Sequence, residues 1–115
     1  MNERIKRVAF IEPAVREAFD ELKKGRFEER ELAESIERAI AELKANPFAG
    51  AAVPKRLWPG IYVRKYKIDN LRKYDLPRAW RLTYTLKGDE VEIISVILEW
   101  FDHKGYEKRF GYRNK

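Results

Sequence analysis

Hydrophobic and polar positions follow a helical period through the first half of the chain. Residues 7–11 form a short β-prone run, and Glu12-Pro13 after it is typical of a helix start, since proline is tolerated in the first helical turn. Two apolar stripes follow at helical spacing, one ending at Gly25 and the other at Asn46-Pro47. Their members are Ala14, Val15, Ala18, Phe19 and Leu22, and then Leu32, Ile36, Ala39, Ile40 and Leu43. The pattern predicts a strand followed by a helical hairpin.

The period changes to two in the second half, after a loop over residues 48–60 that is punctuated by proline and glycine. Three strands are predicted, over residues 61–68, 80–86 and 91–98. The last of them is apolar on both faces, as expected of a central strand, and residues 87–90 before it predict a hairpin turn. The polar segment 102–110 predicts a loop and a short helix.

This order of elements predicts an α+β fold. We expect one domain over residues 1–115, with an N-terminal strand, a two-helix hairpin, an antiparallel sheet of three further strands and a short C-terminal helix. Two helices can cover only one face of such a sheet. The other face carries Arg81, Thr83 and Thr85, and we expect it to be at least partly open and basic.

The charge is concentrated in the second half. The chain holds 25 Lys and Arg against 19 Asp and Glu, and residues 61–115 carry 13 and 8 of these, a net +5 of the total +6. A basic half favours a polyanionic partner such as nucleic acid, with a merely solvated basic surface as the alternative.

Several classes of protein are excluded by composition. With no cysteine, the chain has no thiolate nucleophile and no cysteine-ligated zinc, and its single histidine cannot build a multi-histidine metal site. No apolar run reaches the ~18 residues of a membrane span, and the charged start lacks the apolar segment of a signal peptide. We therefore predict a cytoplasmic protein with no membrane segment and no metal.

Four segments in this order resemble the RelE/ParE superfamily, the toxins of type II toxin–antitoxin pairs. They are Val8–Phe10 before the helical hairpin, Tyr62–Lys67, the strand Trp80–Thr85 with its Trp-Arg-Leu-Thr-Tyr motif, and the tail Asp102–Phe110. Their order, rather than any single segment, carries the resemblance, which spans nearly the whole chain. It implies a RelE-like fold.

RelE-like members are endoribonucleases that cut mRNA in the ribosomal A site without a metal or other cofactor. The ribose 2′-OH attacks the adjacent phosphate and leaves a cyclic phosphate and a free 5′-OH. Such a reaction needs a base, an acid and cations that stabilise the transition state. The resemblance also implies the partners: a cognate antitoxin protein, whose acidic segment would suit the basic half, together with mRNA and ribosomal RNA.

The resemblance assigns the cations of the site. Arg81 matches the transition-state arginine of the family, and its planar fork can bind two phosphate oxygens; the alternative is a surface arginine on an edge strand. Lys65 and Lys67 match a Lys-x-Lys strand and would bind phosphate or supply the base, or else they are solvated residues at a strand end. Arg64 points the other way and is a candidate for binding ribosomal RNA.

His103 and Tyr106 are the candidates for proton transfer and base stacking. A spacing of three residues brings their side chains to one side of a helix, and imidazole exchanges protons near neutral pH. His103 would act as general acid or base, while Tyr106 would orient the nucleophile, stack on a base, or instead pack against the sheet.

The tail departs from the family where RelE-like enzymes often carry an additional arginine, because this chain has Glu99–Asp102 there. Lys104, Lys108 and Arg109 are the tail cations that could bind RNA in its place. The general base stays open between a lysine and the pair Asp102 and His103.

Two other functions are compatible with the sequence. One is that of the ParE branch, which inhibits DNA gyrase and lacks the nuclease site. The other is a non-catalytic RNA-binding module, since aromatic residues at 62, 66, 74 and 80 are interleaved with the basic ones.

Overall fold

A computed structural model describes residues 3–111 and contains a five-stranded sheet with helices packed on both faces. The strands are β1 Ile5–Phe10, β2 Ala51–Ala52, β3 Arg72–Asp75, β4 Arg81–Gly88 and β5 Glu92–Phe101. The helices are α1 Pro13–Lys23, α2 Phe27–Ala45, α3 Gly60–Tyr66 and α4 His103–Phe110. The predicted α+β class is confirmed.

The sheet is mixed, with strand order β1-β5-β4-β3-β2. The helical hairpin carries the chain from β1 at one edge to β2 at the other, and the remaining strands return as an antiparallel meander. The meander ends with β5 beside β1, and the two strands run parallel. The four later strands thus pair antiparallel in succession, and the predicted strands 80–86 and 91–98 appear as β4 and β5. As expected, β5 has a neighbour on each side, but the N-terminal strand joins it in parallel.

One face of the sheet, the hairpin face, packs against α1 and α2. The predicted stripe of α2 is confirmed, whereas in α1 only Val15, Phe19 and Leu22 reach the core and Ala14 and Ala18 are exposed. The fully buried side chains of this core include Ile36 and Leu43 from α2 and Leu82, Tyr84 and Ile97 from the sheet. Trp80 and Leu86 pack against the same cluster, so the predicted alternation of strand 80–86 is confirmed on this face.

The strand predicted over residues 61–68 is wrong, because Gly60–Tyr66 forms helix α3. Its valine, isoleucine and tyrosine content favours a strand, but β-propensity depends on context. Here Tyr62 and Tyr66, one helical turn apart, both pack into the core of the second face, and that burial outweighs the local preference. Sequence reasoning missed two strands: β3, which is only four residues long, and β2, a two-residue strand inside the predicted loop 48–60.

The face opposite the hairpin is covered, which corrects the expectation of an open sheet surface. We call it the aromatic face. Helices α3 and α4 and the 53–58 segment pack onto it, and Thr83 and Thr85 are 0% and 1% exposed. Its core consists of Val53, Tyr62, Ile68, Leu71, Leu98, Tyr106 and Phe110. The expectation counted only two helices, but residues 60–66, which were predicted as a strand, form a third helix that covers this face.

The segment after α3 is attached to β4 by Asn70. Its side-chain oxygen accepts from the Leu86 amide at 2.7 Å, and its side-chain nitrogen donates to the Leu86 carbonyl at 2.8 Å. Thr85 Oγ1 donates to the Asn70 carbonyl at 2.7 Å. These bonds extend the β3–β4 pairing by side-chain contacts and hold α3 over the aromatic face.

Candidate functional site

Arg81, His103 and Tyr106 lie at one corner of the aromatic face, which we call the Arg81 corner. Arg81 begins β4 and is paired in register with Phe101, the last residue of β5, and α4 begins two residues later at His103. The Arg81 guanidinium carbon lies 5.1 Å from the centre of the Tyr106 ring. Of the five predicted catalytic residues, Arg81 and Tyr106 are therefore in contact, and His103 begins the helix that follows the strand end paired with Arg81.

The Arg81 side chain is held from several directions. Its Nη1 donates to the Ala79 carbonyl at 3.2 Å. Its buried Nε lies 3.1 Å from Asp75 Oδ1, an ion pair that lacks the alignment of a hydrogen bond. Since a guanidinium carries five N–H donors, these contacts leave donors for another oxyanion.

The loop before Arg81 is strained. Arg78 and Ala79 have φ of 62° and 63°, in the left-handed region that residues other than glycine rarely adopt, at about 1–3 kcal/mol each. Arg78 is tied to α2 by an ion pair of 3.3 Å with Glu31. The strained conformation presents the Ala79 carbonyl to Arg81, and such strain persists where surrounding contacts fix it.

His103 occupies the first position of α4. Asp102 caps this helix, its Oδ1 accepting from the Gly105 amide at 2.8 Å, as expected of an aspartate at an N-cap. The imidazole is exposed, with Nε2 3.1 Å from Glu107 Oε2 one turn later. Its position at a helix terminus leaves it accessible from solvent.

Tyr106 is buried rather than exposed beside His103. Its ring stacks on Phe110 at 4.3 Å between centres and meets the edge of Phe101 at 6.3 Å. Of the two roles considered for Tyr106, packing against the sheet is therefore what the structure describes, and its ring also supports Arg81.

Lys65 and Lys67 do not share a strand, because both belong to α3 and its end. Lys65 Nζ lies 3.2 Å from Glu12 Oε2, which also accepts from the Tyr66 hydroxyl at 2.8 Å. The Tyr66 hydrogen bond and then Lys65 lower the pKa of Glu12, and the contact with Glu12 raises the pKa of Lys65. Lys67 caps α3 with φ of 54°.

The aromatic core separates these lysines from the Arg81 corner. Ring contacts run from Tyr106 to Phe110, from Phe110 to Tyr62 and from Tyr62 to Tyr66, next to Lys65. The five predicted catalytic residues thus fall into two groups at opposite ends of this row.

Of the predicted RNA-binding cations, Arg64, Lys104 and Lys108 are exposed, whereas Arg109 is engaged. Arg109 binds both carboxylate oxygens of Glu99, at 3.0 and 2.9 Å. Tyr62 donates to the same carboxylate at 2.7 Å and lies 3.0 Å from Thr83 Oγ1. Burial raises the pKa of Tyr62, and the bond to Glu99 raises that of Arg109. Arg109 thus anchors α4 to the sheet.

Sequence reasoning missed Lys73 and Asp75 on β3 and Glu99 on β5. Lys73 Nζ lies 3.5 Å from Asp75 Oδ1, beside Arg81. The Lys-Tyr-Asp alternation at 73–75 carries a two-residue period, but it is too short to show which strand it pairs with.

No protein-family model, curated protein or solved structure matches this chain. Within residues 3–111, no three His, Asp or Glu side chains are grouped so that they could hold a metal ion. No helix in that range is both long and apolar enough to cross a membrane.

Proposed function

We propose that this protein is the toxin of a type II toxin–antitoxin pair and cleaves mRNA as a metal-independent endoribonuclease. The observation that carries the proposal is the Arg81 corner, where an arginine supported on an aromatic ring lies next to the helix start that bears the only histidine. This combination supplies the two kinds of group that cleavage by a 2′-OH requires.

Arg81 stabilises the charge that develops on the phosphate. The Tyr106 ring and the Ala79 carbonyl hold its guanidinium in place before substrate binds, and fixed donors stabilise a transition state better than mobile ones. Its remaining N–H groups bind the non-bridging phosphate oxygens.

His103 moves a proton. In the reaction, the 2′ oxygen bonds to phosphorus and gives its proton to a base, while the P–O5′ bond breaks and the 5′ oxygen takes a proton from an acid. The exposed imidazole of His103 serves one of these two steps. The other is served by a second group, for which Asp102 is a candidate.

The exposed cations of α3 and α4 favour a large RNA substrate. Arg64, Lys104 and Lys108 project from the two helices that cover the aromatic face, where they can meet the phosphates of mRNA and ribosomal RNA. A ribosomal substrate implies a cytoplasmic protein, and the same basic surface would accept an acidic antitoxin segment.

The test is cleavage of mRNA on programmed ribosomes, whose assembly requires Mg²⁺, and of free mRNA with and without EDTA. We expect products with 2′,3′-cyclic phosphate ends and a loss of about 10²-fold or more for Arg81→Ala, as for removal of an oxyanion-stabilising donor. His103→Gln should also lose activity. Arg38→Ala, an exposed arginine on α2 and so behind the opposite face, is the matched control and should cleave normally.

The contrary outcomes are distinct. Full activity of folded Arg81→Ala, checked by circular dichroism, would refute the assigned site. Cleavage of free mRNA that is lost when EDTA is added would refute the metal-independent mechanism. Gyrase inhibition without RNA cleavage would identify the ParE-type activity instead, and RNA binding without either activity would identify a binding module.

A further inference from the structure

Strand pairing places a second cation next to Arg81. Lys73 and Asp75 are two residues apart on β3 and therefore project from the same face of the sheet. Asp75 is paired with Arg81 and Lys73 with Thr83, whose side chain is buried on the aromatic face. Lys73, Asp75 and Arg81 thus form a cluster on one face of two neighbouring strands.

The two cations meet at a single oxygen atom. Asp75 Oδ1 lies 3.1 Å from Arg81 Nε and 3.5 Å from Lys73 Nζ. Two positive groups so close together repel each other, and the carboxylate between them offsets that repulsion. A phosphate oxygen carries the same charge and could take the same place.

The anion is the most exposed member of the cluster. The side chain of Asp75 is 68% exposed, against 24% for Arg81 and 30% for Lys73. Arg81 is also held by Ala79 and Tyr106, whereas Asp75 is the last residue of β3. Arg81 is therefore held by the fold and Lys73 is the more buried partner of its pair, while the carboxylate lies on the outside and makes only a weak, off-axis contact with Arg81.

We infer that Lys73 and Arg81 together form a binding site for one backbone phosphate of a polynucleotide, and that Asp75 occupies this site in the free protein as an internal competitor. When the substrate binds, its phosphate displaces the Asp75 carboxylate, which rotates into solvent. The identity of the ligand as RNA rests on the proposed function, but the anion site itself rests only on the geometry of the cluster.

The test is a binding measurement on the full chain that requires no catalysis. Orthophosphate and a 2′-O-methyl oligoribonucleotide, which cannot be cleaved because its 2′ oxygens are blocked, are titrated at constant ionic strength. Asp75→Asn removes the competitor and should tighten binding of both probes by about two- to fivefold, the effect of removing one exposed ion pair.

Asp20→Asn is the matched control. Asp20 lies on α1, behind the opposite face, and is also in an exposed ion pair, 3.8 Å from Lys23. This substitution changes the net charge by the same amount, but it should leave both affinities unchanged. Equal gains for Asp20→Asn and Asp75→Asn would overturn the inference, because they would show an effect of net charge alone.

A second pair of variants tests Lys73. Adding Lys73→Ala to Asp75→Asn should remove the gain, whereas adding Lys87→Ala, an exposed lysine near the far end of β4, should remove less of it. A gain that survives the loss of Lys73 would exclude that residue from the site. Tighter binding of orthophosphate without tighter binding of the oligonucleotide would overturn the assignment to a polynucleotide.

This experiment and the cleavage assay can fail separately. If the wild-type protein does not cut RNA but Asp75→Asn binds both probes more tightly, the anion site stands and the endoribonuclease proposal falls. If cleavage depends on Arg81 but Asp75→Asn binds neither probe more tightly, the endoribonuclease proposal stands and the internal competitor is refuted.

Discussion

The two faces of the sheet are built in different ways. The hairpin face is covered by one long and one medium helix, and its centre is mainly aliphatic, with Ile36, Leu43 and Ile97 fully buried beside Tyr84. The aromatic face is covered by two helices of seven and eight residues and a loop. Its centre contains stacked rings and a polar network that joins Tyr62, Glu99 and Arg109.

This difference suggests a division of roles, in which the hairpin face mainly stabilises the fold and the aromatic face carries the candidate site. A continuous apolar core stabilises the fold but offers no group that could act on a substrate. Short helices bury less surface, so the aromatic face depends on directed polar contacts for its cohesion. Those contacts also fix side chains such as Arg81 in defined positions, which a reactive site requires.

The largest expected effect comes from opening a cavity in the hairpin face. Ile36 is 0% exposed, and Ile36→Ala should reduce the free energy of unfolding by about 2–5 kcal/mol, since the deleted atoms leave unfilled space. Ile61→Ala on α3 is the matched control, because Ile61 is exposed and should cost about 0.5 kcal/mol or less. Urea unfolding measures both; equal losses would contradict the placement of Ile36 at the centre of the hairpin-face core.

A smaller effect is expected from breaking the network of the aromatic face. Tyr62→Phe removes the hydroxyl that donates to Glu99, and we expect a loss of about 1–3 kcal/mol, because the carboxylate keeps only Arg109 as a described partner. Tyr74→Phe is the control, since its hydroxyl bonds to exposed Glu42 at 3.2 Å. Hydrogen exchange of the α3 and α4 amides should accelerate in Tyr62→Phe alone; uniform protection in both variants would argue against the network as the anchor.

The smallest effect concerns pH. The folded-state pKa of Glu12 lies below its ordinary value of 4.5, because Tyr66 and Lys65 favour the carboxylate. Its contribution to stability is therefore complete above pH 4.5 and is lost as the pH falls through the lowered pKa. Glu12→Gln should be slightly less stable than the wild type at neutral pH, and the two stability curves should converge in acid. Glu17→Gln, an exposed glutamate on α1, should preserve the wild-type curve shape.

The local hydrophobic pattern was enough to predict the elements that bury side chains at a regular spacing along their length. The helices α1 and α2 and the β4–β5 hairpin follow directly from spacing, since each turns one side toward the core, although Ala14 and Ala18 of the α1 stripe stay exposed. The pattern failed at residues 61–68, where β-branched and aromatic residues alternate with basic ones and both periods fit. Tertiary burial of Tyr62 and Tyr66 decided in favour of the helix.

The residues of the candidate site also fall into those that the sequence could indicate and those that only the tertiary structure reveals. The resemblance singles out Arg81, and His103 stands out because it is the only histidine in the sequence. Asp75 and Lys73 do not, since their meaning depends on the register that puts Asp75 opposite Arg81. Likewise, Arg109 reads as a free cation in sequence, and only the folding of α4 onto β5 shows that Glu99 binds it.

The sequence by itself determined the α+β class, the helical hairpin and the central strand, because these depend on periodicities that neighbouring residues share. Tertiary structure alone decided that α3 is a helix, that both faces of the sheet are covered, and which carboxylate meets which cation. Those outcomes depend on where distant segments return to the sheet. Long-range pairing, unlike a helical stripe, leaves no local period by which it can be recognised.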